Sequence, residues 1–164
     1  MIRSPEFVKP IPILPVRSVS ASLSWYRDKL AFEGHGMPEP PSEPLFGSVF
    51  RGTHANVNLY LSKVEEGSPV HPQHMYVMIA GTVEPGGPTP EIDLLFDEMK
   101  EKGVCERDTQ PANAEYSGFR QFNVVDPDGE PELLYDLRLE LKQSITSGHK
   151  LTFFQHLPEG FFDS

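Results

Sequence analysis

The chain has one cysteine, Cys105, among 164 residues. That excludes an internal disulfide and makes a reducing, cytoplasmic setting the expectation. Positive charge is also scarce: 14 Lys and Arg against 24 Asp and Glu leave a formal charge of −10. Nucleic acids are gripped by basic faces that neutralise phosphates, so no nucleic-acid partner is expected. An acidic surface serves solubility and also suits a cationic ligand. Long hydrophobic runs are missing as well. No stretch approaches the roughly 18 apolar residues that span a bilayer, so no membrane role is expected. Residues 1–20 carry Pro5, Pro10, Pro12 and Pro15 without a continuous apolar run, so no signal peptide is expected.

What is plentiful is proline, 17 residues, and glycine, 13, which points to long connections between short elements. The length suits one core, or two small halves sharing one. Two helices stand out. Ile92, Leu95, Phe96 and Met99 fall on one helical face, with Thr89 as N-cap, Pro90 at the first helical position and Gly103 as the stop. An earlier helix over 20–30 places Leu23, Tyr26 and Leu30 on one face, with Ser18 or Ser20 as cap. Extended runs precede each helix, at 11–16 and 74–80. Others follow, at 46–50 and 56–61 after the first helix, and at 117–125 and 132–137 after the second.

These elements read as a repeat. Leu30 and Gly103 end the helices 73 residues apart, Gly47 and Gly118 are 71 apart, and Asn58 and Glu132 are 74 apart. A near-constant offset is the mark of an internal duplication, each copy running strand, helix, strands. Residues 37–44, 65–72 and 81–88 read as loops, and 65–72 as the linker between copies. The stretch 138–164 falls outside the repeat. Its Phe153, Phe154, Phe161 and Phe162 make it too apolar for a solvated tail, and it is expected to dock on its own domain or on a partner.

Two segments carry a resemblance. Leu14-Pro15-Val16-Arg17-Ser18-Val19, followed by 22–30 and Phe32-Glu33, is similar to the opening strand and helix of the vicinal-oxygen-chelate (glyoxalase/bleomycin resistance protein/dioxygenase) superfamily, with Ala31 where that family usually has Gly. The run Gly118–Gly129, ending Asp126-Pro127-Asp128-Gly129, resembles the family's later motif, closest to the bleomycin-resistance branch. The resemblance covers roughly residues 8–137. It implies an α+β fold of two βαβββ modules, about 8–64 and 73–137, whose curved mixed sheets surround a concave cleft. It also implies a homodimer.

Metal-dependent members of that superfamily place one ligand on each of four strands. By the resemblance those places fall at Ile11, Asn58, His74 and either Leu133 or Glu132. Isoleucine has no donor atom and asparagine is a weak neutral one, so no metal is expected, a divalent ion being the alternative. Alternation along the strands puts Asn58, Tyr60, His74, Tyr76 and Glu132 on the face away from the apolar residues. With Phe46, Phe50, Tyr116 and Phe119 they make a candidate wall for a planar ligand. Cys105 and Ser24 have no visible base, so nucleophilic catalysis is not expected. His54, His149 and His156 form no spaced cluster and read as surface residues.

The favoured reading is a metal-free small-molecule binding protein that sequesters an antibiotic or other aromatic or cationic compound. The alternative is a lyase, isomerase or dioxygenase that uses a degenerate metal site or a His74/Glu132 acid–base pair. Whether the protein is an enzyme is left open. A partner-binding role for the Phe-rich extension is a third reading.

Overall fold

The computed structural model describes residues 9–80, 90–105, 110–113, 119–127 and 149–156. Within them the elements run β1 (Ile13–Val16), α1 (Val19–Leu30), β2 (Glu33–Met37), β3 (Phe46–Arg51) and β4 (Val57–Lys63), then β5 (His74–Met78), α2 (Glu91–Glu101), β6 (Ala112–Asn113), β7 (Phe119–Val125) and β8 (Lys150–His156). A one-turn 3-10 segment at Thr53–Ala55 joins β3 to β4. The order is βαβββ twice over. The first sheet has strand order β1-β4-β3-β2 and the second β5-β8-β7-β6. Each is mixed, with one parallel pair (β1 with β4, β5 with β8) and antiparallel neighbours elsewhere.

The two helices are fixed by different means. Ser18 caps α1: its hydroxyl oxygen accepts from the Ala21 N–H at 3.2 Å, while its own proton goes to Glu43 Oε1 at 3.0 Å. Ser20, the other expected cap, gives its hydroxyl to Glu43 Oε2 at 2.6 Å instead. The helix ends at Ala31, which sits in the left-handed region at φ 53°. Glycine takes that conformation without penalty, which explains why a glycine suits this place. At the other helix Pro90 is the N-cap and not the first helical residue, and it makes no side-chain cap bond. The expected cap Thr89 lies outside the described residues. Gly103, at φ 70°, follows its end as expected.

Apolar periodicity decides which face of each sheet is covered. Val19, Tyr26 and Leu30 of α1 are buried against Leu14, Val16, Val49, Leu59 and Leu61 of the first sheet. Helix α1 lies so close to β2 and β3 that a Cβ on Gly47 would come within 2.8 Å of Val19 Cγ1. In the second half Ile92, Phe96 and Met99 cover Val77, Phe122, Val124, Leu151 and Phe153. The Phe96 and Phe122 rings meet edge to face at 5.3 Å.

The strand lying between β5 and β7 is Lys150–His156, inside the stretch that sequence patterning sets outside the repeat. The expected strand over 132–137 lies outside the described residues, as do 157–164. Strands β4 and β8 are both seven residues long and occupy equivalent places in their sheets. More residues separate β8 from β7 than separate β4 from β3, so matching elements are no longer evenly offset and the repeat is hidden at this point. Short β2 and β6 were also missed, the first because Gly34 and Gly36 interrupt it.

Buried polar contacts join the halves. Tyr26 donates to Asp126 Oδ2 at 3.1 Å, and Asp126 Oδ1 accepts from the His149 N–H at 2.9 Å. His149 is fully buried, in contrast to the surface position expected of it. Its Nδ1 accepts from the Gln73 N–H at 3.0 Å, so Nε2 carries the proton and donates to the Pro15 carbonyl at 2.8 Å. Arg51 reaches across from β3 to Glu98 of α2 at 3.0 Å.

Candidate functional site

Strand alternation leaves each sheet one face not covered by its helix. On the first sheet this open face carries Phe46, Ser48 and Phe50 of β3 beside Asn58 and Tyr60 of β4, because Phe50 pairs with Asn58 and Ser48 with Tyr60. Phe46 meets Tyr60 edge to face at 5.0 Å. Ser48 donates to Asn58 Oδ1 at 3.1 Å, and the His35 ring stands 6.4 Å from Phe50. The predicted residues Phe46, Phe50, Asn58 and Tyr60 are thus gathered on one surface. Sequence patterning did not single out Ser48 or His35.

On the second sheet the open face carries His74 and Tyr76 of β5, Lys150 and Thr152 of β8, and Asn123 of β7. Phe119 lies on the same face of β7, four residues from Asn123. His74 stacks on Tyr76 with ring centres 4.6 Å apart. Thr152, itself 1% exposed, donates its hydroxyl to Asn123 Oδ1 at 2.6 Å. Its oxygen is therefore the acceptor in the 2.7 Å contact with His74 Nε2, which must carry the ring proton. Among the described residues nothing bonds to His74 Nδ1, so that nitrogen offers a free lone pair. Burial, with help from the Lys150 ammonium, pushes the His74 imidazole below its ordinary pKa of 6.5 and so favours its neutral form. Tyr116 and Glu132 lie outside the described residues.

The four positions that the sequence resemblance marks for a metal can be compared between the two halves by register. Leu59 pairs with Val49, and Leu151 with Val124, each pair buried against its helix. The residues just before them, Asn58 and Lys150, are therefore equivalent. Leu14 pairs with Leu61 and Val77 with Phe153, which makes Ile11 and His74, three residues earlier, equivalent too. The set is an alkyl group, a neutral amide, an imidazole and an ammonium. One good donor beside a cation does not suit a divalent ion. Among the described residues no three His, Cys, Asp or Glu side chains converge. Lys150 and Thr152 were legible in principle, since they alternate with Leu151 and Phe153, but the run sits beyond the expected end of the repeat.

A separate cavity of about 430 Å³ lies between the halves, on the helix side of the second sheet. Phe32, Val57, Val77, Leu94 and Phe153 line it, with Arg51 and Glu98 among its polar groups. Burial would raise the Glu98 carboxyl, but Lys102 and Arg51 hold it below its usual range. None of the predicted binding residues that are described lines this cavity. Cys105 is buried, and that burial pushes its thiol up, away from the reactive thiolate.

No protein-family model matches the sequence, and no curated protein matches it significantly. Solved structures do match in shape. A glyoxalase/bleomycin resistance protein/dioxygenase from Nocardioides superposes with a TM-score of 0.54 at 15% identity, over 96% of this chain and 89% of that one. A glyoxalase-related enzyme from Clostridium phytofermentans gives 0.57 at 16% identity, over 94% and 99%. The bleomycin-binding protein of Streptomyces verticillus, solved with copper(II)-bleomycin, gives 0.53 at 17% identity, over 95% and 100%. Twofold βαβββ order, matched strand orders and these superpositions together give the chain the fold of the glyoxalase/bleomycin resistance protein/dioxygenase proteins.

Proposed function

We propose that this protein binds a planar small molecule on the open faces of its two sheets, without a metal ion, and acts by sequestering it. The observation that carries the reading is the composition of those faces. Aromatic rings and hydrogen-bonding groups line them, and the four positions compared by register hold an alkyl group, an amide, an imidazole and an ammonium where a catalytic metal would need several anionic or imidazole donors. Flat rings such as Phe46, Tyr60 and Tyr76 are stacking surfaces, and Ser48, Asn58 and Asn123 supply direction. The likeness in fold to a protein solved with bound bleomycin supports the same reading.

In one chain these faces are open. Tyr76 and Met78 are 66% and 68% exposed, and Ile13 is 53% exposed. A second copy that covers them would turn two open faces into an enclosed cleft, so a homodimer is part of the proposal. The alternative, an enzyme, draws support from the neutral His74 with its free lone pair, which is the form a general base requires.

A thermal-shift screen of divalent metals, EDTA, bleomycin and flat aromatic compounds tests the proposal. A ligand at 100 times its Kd adds about 2.7 kcal/mol of stability, which is easily read. Stabilisation by bleomycin or another aromatic compound, unaffected by EDTA, is the expected result. Stabilisation by a divalent metal alone would refute it.

A further inference from the structure

We infer that His74, Thr152 and Lys150 together recognise an acidic hydroxyl, a phenol or enol, carried on the planar ligand. The inference rests on the reading of the open faces as a binding site and names the chemistry that the second sheet selects. His74 and Lys150 are register partners on adjacent parallel strands, about 4.8 Å apart with side chains on one face. They differ in what they offer. The hydroxyl proton of Thr152 is committed to Asn123, which forces His74 to spend its own proton on Thr152. What His74 has left is an acceptor, Nδ1, and an acceptor needs a donor from the ligand.

Lys150 offers only protons and a positive charge. Among the described residues no carboxylate pairs with it. A group that satisfies both neighbours at once has a proton to give and an oxygen willing to share negative charge. A phenolic or enolic hydroxyl does this: it donates to His74 Nδ1 and accepts from the Lys150 ammonium. An ether lacks the donor, and a carboxylate lacks it too. An ammonium ion has the donor but meets Lys150 as a like charge. The Tyr76 ring, stacked on His74, gives the ligand ring a surface beside its hydroxyl. So although the chain as a whole is acidic, this part of the surface selects against a cation.

The test uses the full chain, labelled with 15N, and three probes of one size: 2-naphthol, 2-methoxynaphthalene and 2-naphthylmethylamine. The His74 ring nitrogens are assigned by their loss in His74→Gln. In the unliganded protein Nε2 is expected to be protonated and Nδ1 not. Thr152→Val, which keeps the branched shape without the hydroxyl, should give a mixture of tautomers, and Thr152→Ser should restore the single form. 2-Naphthol should bind about tenfold more tightly than 2-methoxynaphthalene and shift the Nδ1 signal. Lys150→Met should weaken 2-naphthol by about fivefold or more while improving binding of the amine.

A protonated Nδ1 in the free protein overturns the inference. So does equal affinity for naphthol and its methyl ether, or indifference of naphthol binding to Lys150→Met. Failure of all three probes and of bleomycin to bind overturns the small-molecule reading itself, and the tautomer measurements, which need no ligand, separate that outcome from the others.

Discussion

His149 gives the sharpest test of how the halves are joined. Replacing it by leucine keeps an apolar body of similar bulk but removes both ring nitrogens. The Gln73 N–H loses its acceptor at 3.0 Å and the Pro15 carbonyl loses its donor at 2.8 Å. A backbone group left without a partner costs about 1–3 kcal/mol when buried, and less where water reaches it. Both groups are partly buried, so the pair sums to about 2–3 kcal/mol. For a chain of this size each kcal/mol moves Tm by about 2–4 °C, so His149→Leu should melt about 4–12 °C lower. Urea unfolding followed by the fluorescence of Trp25, in α1, and by far-UV circular dichroism reads both the loss and the cooperativity. Coincident transitions in the wild type would show the halves unfolding together. A loss below about 0.5 kcal/mol is what a surface histidine would give, and would refute the buried bridge.

Three further outcomes are expected. Leu151→Ala should cost about 2–5 kcal/mol in urea unfolding, since Leu151 is fully buried in β8; a peripheral docked tail would lose far less. Ala31→Gly should stabilise by about 0.5–1 kcal/mol, because the left-handed conformation at φ 53° strains alanine and suits glycine. His74 titrates lower in the folded protein than its ordinary 6.5, so the unfolded chain takes up its proton first as pH falls. Its contribution to stability is complete above pH 6.5 and is lost as pH drops through the lower, folded value. His74→Gln should flatten the dependence of stability on pH in that window, and an unchanged slope in a urea-midpoint series would count against it.

Much of the fold was legible because it rests on local patterning. The face formed by Ile92, Leu95, Phe96 and Met99 predicts α2, and Ser18 with the spacing of Leu23, Tyr26 and Leu30 predicts α1. Alternation correctly sorted Asn58, Tyr60, His74 and Tyr76 away from Val57, Leu59, Met75 and Val77. What failed depended on contacts distant in sequence. Nothing local marks Lys150–His156 as the partner of His74–Met78, because parallel pairing is set by the whole sheet and not by a hairpin turn. The long stretch before β8 removed the even offset that reveals the first copy. His149 reads as an isolated histidine in the sequence because its partners, at 15, 73 and 126, come together only in the folded chain. The same limits hid Thr152 and Lys150, whose meaning comes from lying opposite His74.

Chemical-shift mapping of the full chain as bleomycin is titrated in, with EDTA present, tests the central claim most directly. Saturable shifts clustered at Phe46, Asn58, Tyr60, His74, Tyr76 and Asn123 are the predicted result. Shifts confined to Val57, Leu94 and Phe153 around the cavity between the halves, or binding that appears only when a divalent metal replaces EDTA, would contradict it.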